Sequence, residues 1–368
     1  MSPSNLTKIF QSARKYDFIA AGVIKTETIP AAVLKKADFL EEARSLLVLA
    51  HPYPNKPRES IFNSELDIYL SRYARGLDYH LVLGEKLKKL SAEVSRFTGK
   101  VHSWTGVDNH PLDEKRIAAR AGLGFIGRNS LLIIPGIGSM VFLGLIASPI
   151  DIKGKPLAVS LKPEDNFPSL EPGETSRCKN CQLCVTSCPG GALSGQGNLT
   201  KEKCISQLTQ QRGYLEHSQL RLIANHFWGC DDCQLVCPYN SYNNSLSDWN
   251  LPGKIDPREF LQLDYKSSIF RDISRYPFSW RGKRVLQRNM LIVISNLKAG
   301  NYHSSVQELS GSPSPVIRYY CGYYYYNLAA AGNKWAADSL TSLLQQEKEP
   351  EARQRLAVLV GKLKEKQE

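Results

Sequence analysis

The sequence lacks two features that would place the chain in or across a membrane. Residues Met1 to Ala20 contain three basic residues and one acid but no apolar core of a signal peptide, so we expect no targeting segment. The longest uncharged run, Ser130 to Ile150, has the length of a bilayer span. Pro135, Gly136 and Gly138 interrupt this run, which favours a pair of buried strands around a turn over a transmembrane helix.

Acidic residues are also scarce relative to basic ones. The 368-residue chain has 35 Asp and Glu against 47 Lys and Arg, a formal net charge of +12 and a pI near 9.2. This excess favours a polyanionic partner, with nucleic acid as the first candidate, although a merely basic soluble enzyme remains an alternative. The length leaves room for about two or three domains with a large core.

Eight of the nine cysteines form two groups with ferredoxin-like spacing. The first group follows C-x2-C-x2-C-x3-C-P and consists of Cys178, Cys181, Cys184 and Cys188. The second group ends in C-x2-C-x3-C-P, with its first cysteine displaced, and consists of Cys204, Cys230, Cys233 and Cys237. In two-cluster ferredoxins the last cysteine of a run binds the other cluster. We therefore assign one 4Fe–4S cluster to Cys178, Cys181, Cys184 and Cys237, and the other to Cys188, Cys204, Cys230 and Cys233.

Cysteine pairs of this kind also serve other chemistry. Zinc sites use C-x2-C pairs, and disulfides would use the same thiols. Two runs with eight matched thiolates favour iron–sulfur clusters over both alternatives. Only Cys321 lies outside the groups. Because so many thiols must stay reduced, we expect a cytoplasmic protein.

The composition divides the chain into three segments. Residues 1–170 predict an α/β domain, residues 171–245 a two-cluster ferredoxin-like domain, and residues 246–368 a connector followed by helical repeats. In the first segment we expect helices at Asn5–Tyr16, Asp67–Ala74, Tyr79–Thr98 and Glu114–Ala121, and strands at Phe18–Ile24, Ala43–Ala50 and Val101–Val107. The repeat rests on three helices that begin basic and continue apolar: Arg288–Leu297, Arg318–Leu328 and Arg353–Leu363.

Two further clusters allow more than one interpretation. Gly122, Gly124 and Gly127 superficially match a dinucleotide-binding loop, but they follow a predicted helix and no acid for the ribose lies about 20 positions on. We therefore expect these glycines to let the backbone pass close to a bulky neighbour. The tyrosine-rich run from Tyr319 to Tyr326 could stack nucleotide bases, but we favour packing between helices.

Four stretches together resemble the epoxyqueuosine reductase family of tRNA-modifying enzymes. They are Val107–Lys115, Ala121–Asn129 with Gly138–Ser139, the cysteine groups with Cys204–Gln210, and Ser279–Asn289. The resemblance covers roughly residues 40–368. It is specific, because ferredoxin spacing alone would not account for the other three stretches. It implies a cobalamin-binding α/β domain related to reductive dehalogenases, a two-cluster domain and a HEAT-like tail. The implied reaction reduces the epoxide of epoxyqueuosine in tRNA to queuosine.

The chemistry of this reaction agrees with the residues present. Side chains cannot supply electrons, so a cofactor must carry them, and the two clusters would relay them to cobalamin. The departing oxygen needs an acid within hydrogen-bond reach, and the resemblance makes Asp108 that proton donor. Burial beside the corrin would have to raise the pKa of Asp108 for this role.

The resemblance also implies positions near the corrin. The residues that match such positions are Ser71, Asp108, Leu132, Leu143, Ser206, Gly213, Cys230 and Asp231. Asp78, Tyr79 and His80 match a stretch lining the cavity. Because the chain lacks the Asp-x-His-x-x-Gly signature of histidine-ligated cobalamin proteins, we expect His80 to be a polar contact rather than a cobalt ligand.

The basic residues predict the surface that binds tRNA. They would contact the phosphate backbone while the modified base is splayed into the cofactor cavity. The residues predicted for this role are Gln211, Arg212, Arg281, Lys283, Arg284 and Arg288. We expect a monomer that takes electrons from an external low-potential donor and does not contact a membrane.

Two other functions remain open from the sequence. A cobalamin and iron–sulfur reductase of small molecules, similar to reductive dehalogenases, would usually carry a twin-arginine leader and would not need the basic tail. A ferredoxin-type electron carrier without enzymatic activity would leave the whole α/β domain without a role. The epoxyqueuosine reductase hypothesis accounts for all three segments.

Overall fold

A computed structural model describes most of the chain. The described residues are 3–34, 40–53, 61–100, 104–152, 156–161, 176–240 and 253–366. The chain forms two compact units, each built from stretches that are separated in sequence. The first comprises Met1–Lys56, Gly76–Thr200 and Asp231–Trp249, and the second Pro57–Arg75, Lys201–Cys230 and Asn250–Glu368. This division differs from three consecutive domains, since residues 171–245 contribute to both units.

The first unit combines helices with an antiparallel sheet. Its elements are α1 (Pro3–Lys15), β1 (Ala20–Lys25), α2 (Ala31–Leu34), β2 (Ser45–Pro52), α3 (Tyr79–Thr98), β4 (Trp104–Gly106), α4 (Glu114–Arg120), β5 (Phe125–Ile126), β6 (Leu132–Ile133), β7 (Val141–Ser148), β8 (Leu157–Ser160), α5 (Leu183–Thr186) and α8 (Asp232–Leu235). Five strands form a sheet in the order β4-β7-β2-β1-β8, and β5 pairs with β6. The mixed α and β content expected for this part of the chain is confirmed.

The register of the sheet is continuous through its centre. Ala50 of β2 pairs with Ala20 of β1 on one side and with Leu143 of β7 on the other, and all pairs in the five-stranded sheet are antiparallel. All eight residues of β2 are buried, as its apolar run predicts for a central strand. The uncharged run Ser130–Ile150 forms β6 and β7 around a turn, which confirms the two-strand interpretation.

Helix α3 has the predicted bounds because its sequence contains both end signals and a regular apolar stripe. The carboxylate of Asp78 caps the first turn by accepting the His80 backbone N–H at 3.0 Å. Gly99, in the left-handed conformation, ends the helix. Leucine and valine side chains repeat every three or four residues and are buried against the sheet: Leu83, Leu87, Leu90 and Val94.

The second unit is mainly helical. Its elements are β3 (Tyr69–Leu70), α6 (Ile205–Gln210), α7 (His217–Ile223), β9 (His226–Trp228), α9 (Pro257–Leu261), α10 (Ser268–Ile273), α11 (Lys283–Asn296), α12 (His303–Ser310), α13 (Pro315–Ala329), α14 (Lys334–Gln346) and α15 (Pro350–Lys364). Helix α13 packs against α11, α14 and α15. The six tyrosines of α13 are at most 3% exposed, which confirms packing over base stacking for this run. None of the described helices is long and apolar enough to cross a membrane.

The predicted helix at Asp67–Ala74 is wrong. Tyr69 and Leu70 form β3, which pairs in parallel with β9, and only Arg72–Ala74 form a single 3-10 turn. The apolar stretch is too short to be assigned by periodicity, so pairing with a strand about 155 residues later in the sequence decides its conformation. The glycine interpretation is confirmed at Gly124, where a Cβ atom would collide with the carbonyl oxygen of Ile133.

Candidate active site and cofactor residues

Asp108 lies in the turn between β4 and α4, with its backbone in the left-handed region (φ 54°). Its side chain is 63% exposed. The carboxylate Oδ2 accepts a hydrogen bond of 2.8 Å from the Tyr79 hydroxyl and lies 3.6 Å from Nε2 of His80. A non-glycine residue with positive φ is strained and must be held by its surroundings. Such strain is frequent at functional sites.

Glu114, in the first turn of α4, holds the Asp108 turn. Its Oε1 accepts the backbone N–H of Asp108 at 2.9 Å and lies 2.9 Å from Nε2 of His110. Nδ1 of His110 in turn accepts the Leu112 backbone N–H at 3.2 Å, so Nε2 carries the ring proton and donates it to Glu114. Burial raises the pKa of Glu114, while these hydrogen bonds oppose the shift. The Glu114 side chain therefore holds the backbone of the turn that carries Asp108.

The first turn of α3 presents the other two polar groups. Nδ1 of His80 lies 2.7 Å from Oδ1 of Asp78, the capping residue. The Tyr79 ring stacks on the His80 ring at 4.1 Å and on Phe142 of β7 at 4.2 Å. These contacts fix both rings on the rigid sheet and helix, so the Asp108 carboxylate meets positioned donors.

The charges of His80 and Asp108 are coupled. Burial lowers the pKa of His80, but its contacts with Asp108 and Asp78 outweigh this effect and raise the pKa to about 9. His80 in return holds the pKa of Asp108 below its usual value, and the hydrogen bond from Tyr79 adds to the lowering. The proton of the pair therefore rests on His80 at neutral pH. The pKa of Asp108 is therefore shifted in the direction opposite to the increase expected for a proton donor, because protonated His80 lies beside the carboxylate.

Four of the cysteines lie together in the first unit. Cys178 and Cys237 both pack against the apolar pair Phe125 and Ile133 of β5 and β6. Burial raises the pKa of the Cys184 thiol, and the neighbouring thiols of the same set raise it further: Cys178, Cys237 and Cys181. Helices α5 and α8 pack against each other and bring the two cysteine runs together. These four thiols are the residues of the first ligand set predicted from the spacing, and four neighbouring thiols are a donor set suited to a metal cluster.

The second ligand set is divided between the units. Cys188 and Cys233 belong to the first unit, and Cys204 and Cys230 to the second. The sulfur of Cys188 accepts the Ala192 backbone N–H at 3.3 Å. Hydrogen bonds to sulfur are among the features that tune cluster potentials. Cys321, the ninth cysteine, is fully buried in α13.

The residues predicted to contact a corrin differ in exposure. In the first unit, Leu132 and Asp231 are buried and Leu143 is partly exposed. In the second unit, Ser206 and Cys230 are partly exposed and Gly213 is exposed. Ser71, also in the second unit, is fully buried; its backbone N–H donates to the Trp228 carbonyl at 2.9 Å, and a Cβ at Gly229 would collide with it.

Most of the predicted tRNA contacts line one cavity of about 370 Å³ in the second unit. Its lining residues are Arg212, Gly213, Tyr265, Arg281, Lys283, Arg284, Val285, Arg288, Ser314 and Val316. Gln211 is not among them. Arg288 was expected on the surface but is only 1% exposed. No sequence signal pointed to Tyr265 or Ser314, which also line the cavity. Glu114 could have been found within the Val107–Lys115 stretch, where it follows Asp108 by six residues.

Comparisons with known proteins agree with this arrangement. Residues 177–240 match the family model of the 4Fe-4S double cluster binding domain, and residues 34–108 match "Epoxyqueuosine reductase QueG, DUF1730". The epoxyqueuosine reductase of Lactococcus garvieae is 34% identical over 286 residues, which is 76% of each chain. That of Listeria monocytogenes is 30% identical over 350 residues, covering 92% of this chain and 84% of the relative.

The chain belongs to the epoxyqueuosine reductase family. Its fold is similar to a crystal structure of epoxyqueuosine reductase with an epoxyqueuosine-modified tyrosine tRNA stem loop. The TM-score is 0.82 at 25% identity, covering 98% of this chain and 99% of the other. The family assigned from motifs is therefore confirmed, and so is an epoxyqueuosine-reducing activity with a 4Fe–4S double cluster domain.

Proposed function

We propose that this reductase acts on epoxyqueuosine in a tRNA anticodon loop with cobalamin and two 4Fe–4S clusters, and that Asp108 is the proton donor. The observation that carries the proposal is the contact of the Asp108 carboxylate with Tyr79 and the protonated His80. No feature of the described residues favours either alternative, a reductase of small molecules or a ferredoxin-type electron carrier.

The side chains supply the protons of the reaction. Removal of the epoxide oxygen as water consumes two electrons and two protons. His80 holds one proton near Asp108, and exclusion of water by the substrate raises the pKa of the carboxylate and lowers that of the imidazolium. Both changes move a proton from Nε2 of His80 to Oδ2 of Asp108, which then donates it to the departing oxygen. After the C–O bonds break and solvent re-enters the site, His80 takes up the second proton from solvent and passes it through Asp108 to the departing hydroxide, which leaves as water.

Tyr79 and Glu114 act on Asp108 in different ways. Tyr79 donates to the same carboxylate oxygen that faces His80, so it orients this oxygen and stabilises its charged form between transfers. Glu114 holds the backbone N–H and keeps the turn in its strained conformation. We propose that both are positioning residues, while Asp108 is the catalytic residue.

Cobalamin, when bound, would supply the electron pair for the reduction. The buried Nε2 atom of His80 has no hydrogen-bond partner among the described residues, and it lies 3.6 Å from the exposed carboxylate of Asp108. These two polar groups are suited to the edge of a cavity that a large cofactor and the substrate would fill. The residues that would hold the corrin are Ser71, Asp108, Leu132, Leu143, Ser206, Gly213, Cys230 and Asp231.

The ligand sets for the clusters stay as the spacing predicts. One cluster would be held by Cys178, Cys181, Cys184 and Cys237, and the other by Cys188, Cys204, Cys230 and Cys233. The proximity of the first four thiols supports the first set. An external low-potential donor would reduce the clusters. We expect a cytoplasmic monomer, since the substrate is tRNA and eight thiols must stay reduced, with HEAT-like repeats in its helical tail.

The basic residues of the second unit are the proposed contacts for tRNA. Their number and their position around one cavity support phosphate binding. The proposed residues are Gln211, Arg212, Arg281, Lys283, Arg284 and Arg288. A relative of known structure holds an epoxyqueuosine-modified tRNA stem loop, which makes this substrate the natural choice for the assay.

The experiment is conversion of epoxyqueuosine in tRNA by the anaerobically purified protein loaded with iron, sulfide and cobalamin. We expect queuosine as product, and we expect Asp108→Asn to retain both cofactors while losing most of the turnover. Asp338→Asn, an exposed aspartate on α14, is the matched control and should keep full activity. Unchanged nucleoside from the loaded protein would refute the cofactor proposal, and full turnover by Asp108→Asn would remove Asp108 as donor.

A further inference from the structure

Five basic side chains line the cavity that contains Arg288: Arg212, Arg281, Lys283, Arg284 and Arg288. Helices α11 and α13 both begin at it: Lys283 and Arg284 are the first residues of α11, and Ser314 is the residue before α13. Neither helix start has a side-chain cap. Helix N-termini carry a partial positive charge from their unsatisfied N–H groups. Two such ends at one cavity favour an anion.

Arg288 supplies a buried donor that points to the same kind of ligand. Its guanidinium is 1% exposed, and Nη2 donates to the carbonyls of Leu208 and Thr209 at 3.2 and 3.0 Å. Its Nε and Nη1 have no hydrogen-bond partner, and no acid among the described residues pairs with it. The adjacent Tyr320 hydroxyl donates to the Gly213 carbonyl and accepts the Leu215 N–H. Tyr320 also interacts with the guanidinium, but burial raises the pKa of its hydroxyl, so it supplies no negative charge. A buried guanidinium without a counter-ion is destabilising, and an anion bound beside it would offset this cost.

The wall of the cavity adds further cations. Arg281 has a buried Nε without a partner, and its plane stacks on Trp280 at 3.7 Å. Burial lowers the pKa of Arg281, and the charge of Arg212 lowers it further, so the two guanidinium groups repel each other. Lys283 is paired with an acid, Asp264, at 2.8 Å. The other four cations of the cavity form no ion pair with any described residue.

We infer that this cavity is a discrete site for one phosphodiester group of the RNA backbone, with Nε and Nη1 of Arg288 as its buried donors and Arg212 and Arg281 as its wall. The inference rests on the proposed tRNA substrate. A cavity of about 370 Å³ is larger than a phosphate alone and leaves space for the flanking sugar. A phosphate monoester or inorganic phosphate has the same charged oxygens and could bind the same donors. The cavity differs from a diffuse basic surface because its central donor, Arg288, is buried.

The test is a scan of an unmodified anticodon stem loop in which each backbone phosphate in turn is replaced by a neutral methylphosphonate. Binding is measured by fluorescence anisotropy with the full chain, without cobalamin and without the epoxide. We expect one linkage at which neutralisation weakens wild-type binding about tenfold. In Arg281→Gln the natural stem loop should bind about tenfold more weakly, and the same neutral linkage should cost nothing more, since the two changes remove one contact.

Two further variants test whether the effect is specific to this cavity. Arg288→Gln should show the same non-additivity, but Arg281→Gln carries the test because Arg288 also supports the carbonyls of α6. Arg271→Gln, an exposed arginine on α10 outside the cavity, removes the same charge and should leave the linkage scan unchanged. Melting temperatures confirm that each variant folds.

The outcomes separate this inference from the proposed function. A stem loop that does not bind refutes the tRNA contacts altogether. A stem loop that binds, with equal small losses at every linkage and additive effects of Arg281→Gln, overturns the discrete site and leaves tRNA binding intact. Displacement of the RNA by inorganic phosphate at constant ionic strength, with a flat linkage scan, assigns the cavity to a free anion and also overturns the inference.

Discussion

Replacing Asp108 by asparagine should lower the pKa of His80 measurably. The substitution keeps an oxygen that can accept from Tyr79 but removes the negative charge 3.6 Å from Nε2 of His80. Asp78 remains on the other ring nitrogen at 2.7 Å. The imidazolium therefore loses one of its two anionic neighbours and keeps the other.

The size of this change follows from the contacts. The pKa of His80 rises from 6.5 to about 9 although burial pulls it down, so the two acids together contribute more than the net increase of about 2.5 units (9 − 6.5). An opposite charge within this distance typically shifts a pKa by about 1 to 3 units. We therefore expect a fall of about 1 to 2 units in Asp108→Asn. Near pH 7.5, His80 would change from almost fully protonated to roughly half protonated.

Histidine-selective isotope labelling and NMR titration measure this directly. The chain has seven histidines, and His80→Gln assigns the resonance by its disappearance. Asp338→Asn, the exposed control, should leave the His80 midpoint near 9. If the midpoint also stays near 9 in Asp108→Asn, Asp78 alone sets the charge of His80. The Asp108–His80 pair would then not be coupled, and the proposed proton source would be wrong.

Three further predictions follow from other contacts. Glu114→Gln should reduce turnover about tenfold, and Glu114→Ala more, with cobalamin binding unchanged, because both loosen the turn that carries Asp108; equal activity of all three proteins would contradict this role. Burial lowers the pKa of His51 to about 4, so stability should fall by about 3 kcal/mol as the pH drops from 6.5 to 4, and denaturant titrations of His51→Gln should show a smaller loss over that range. Cys184→Ser should roughly halve the bound iron measured chemically, whereas Cys321→Ser should not change it, and equal iron in both would exclude the proposed ligand set.

The helices with a long apolar stripe and clear end signals could be predicted from the sequence. Tyr79–Thr98 has a capping aspartate before it, a glycine after it and regularly spaced leucines, so local signals and tertiary packing agree. The segment at Asp67–Ala74 has only a few apolar residues, and its pairing with β9 depends on a partner far along the chain. No local pattern contains that information.

The site residues could be identified more readily than their environment. The motif around Asp108 located the carboxylate, but the sign of its pKa shift depends on His80, which lies 28 residues earlier and approaches only because α3 begins beside the turn. Arg288 was recognised as a cation for RNA, but its burial depends on the carbonyls of Leu208 and Thr209, 80 and 79 residues earlier. Charge is visible in sequence, whereas desolvation is a property of the folded chain.

The two polar clusters differ in how their charges are balanced, and this difference indicates what each can bind. At Asp108, acids and a histidine of the same unit pair with each other, so a proton can move between them without a change in net charge. Such a pair suits proton delivery, and it needs no external ion to be stable. At Arg288, cations face one another and no acid is within reach of the buried guanidinium among the described residues. No described residue balances them, so under the proposed function the Asp108 group would deliver a proton to the substrate and the Arg288 group would bind a phosphate of the same RNA.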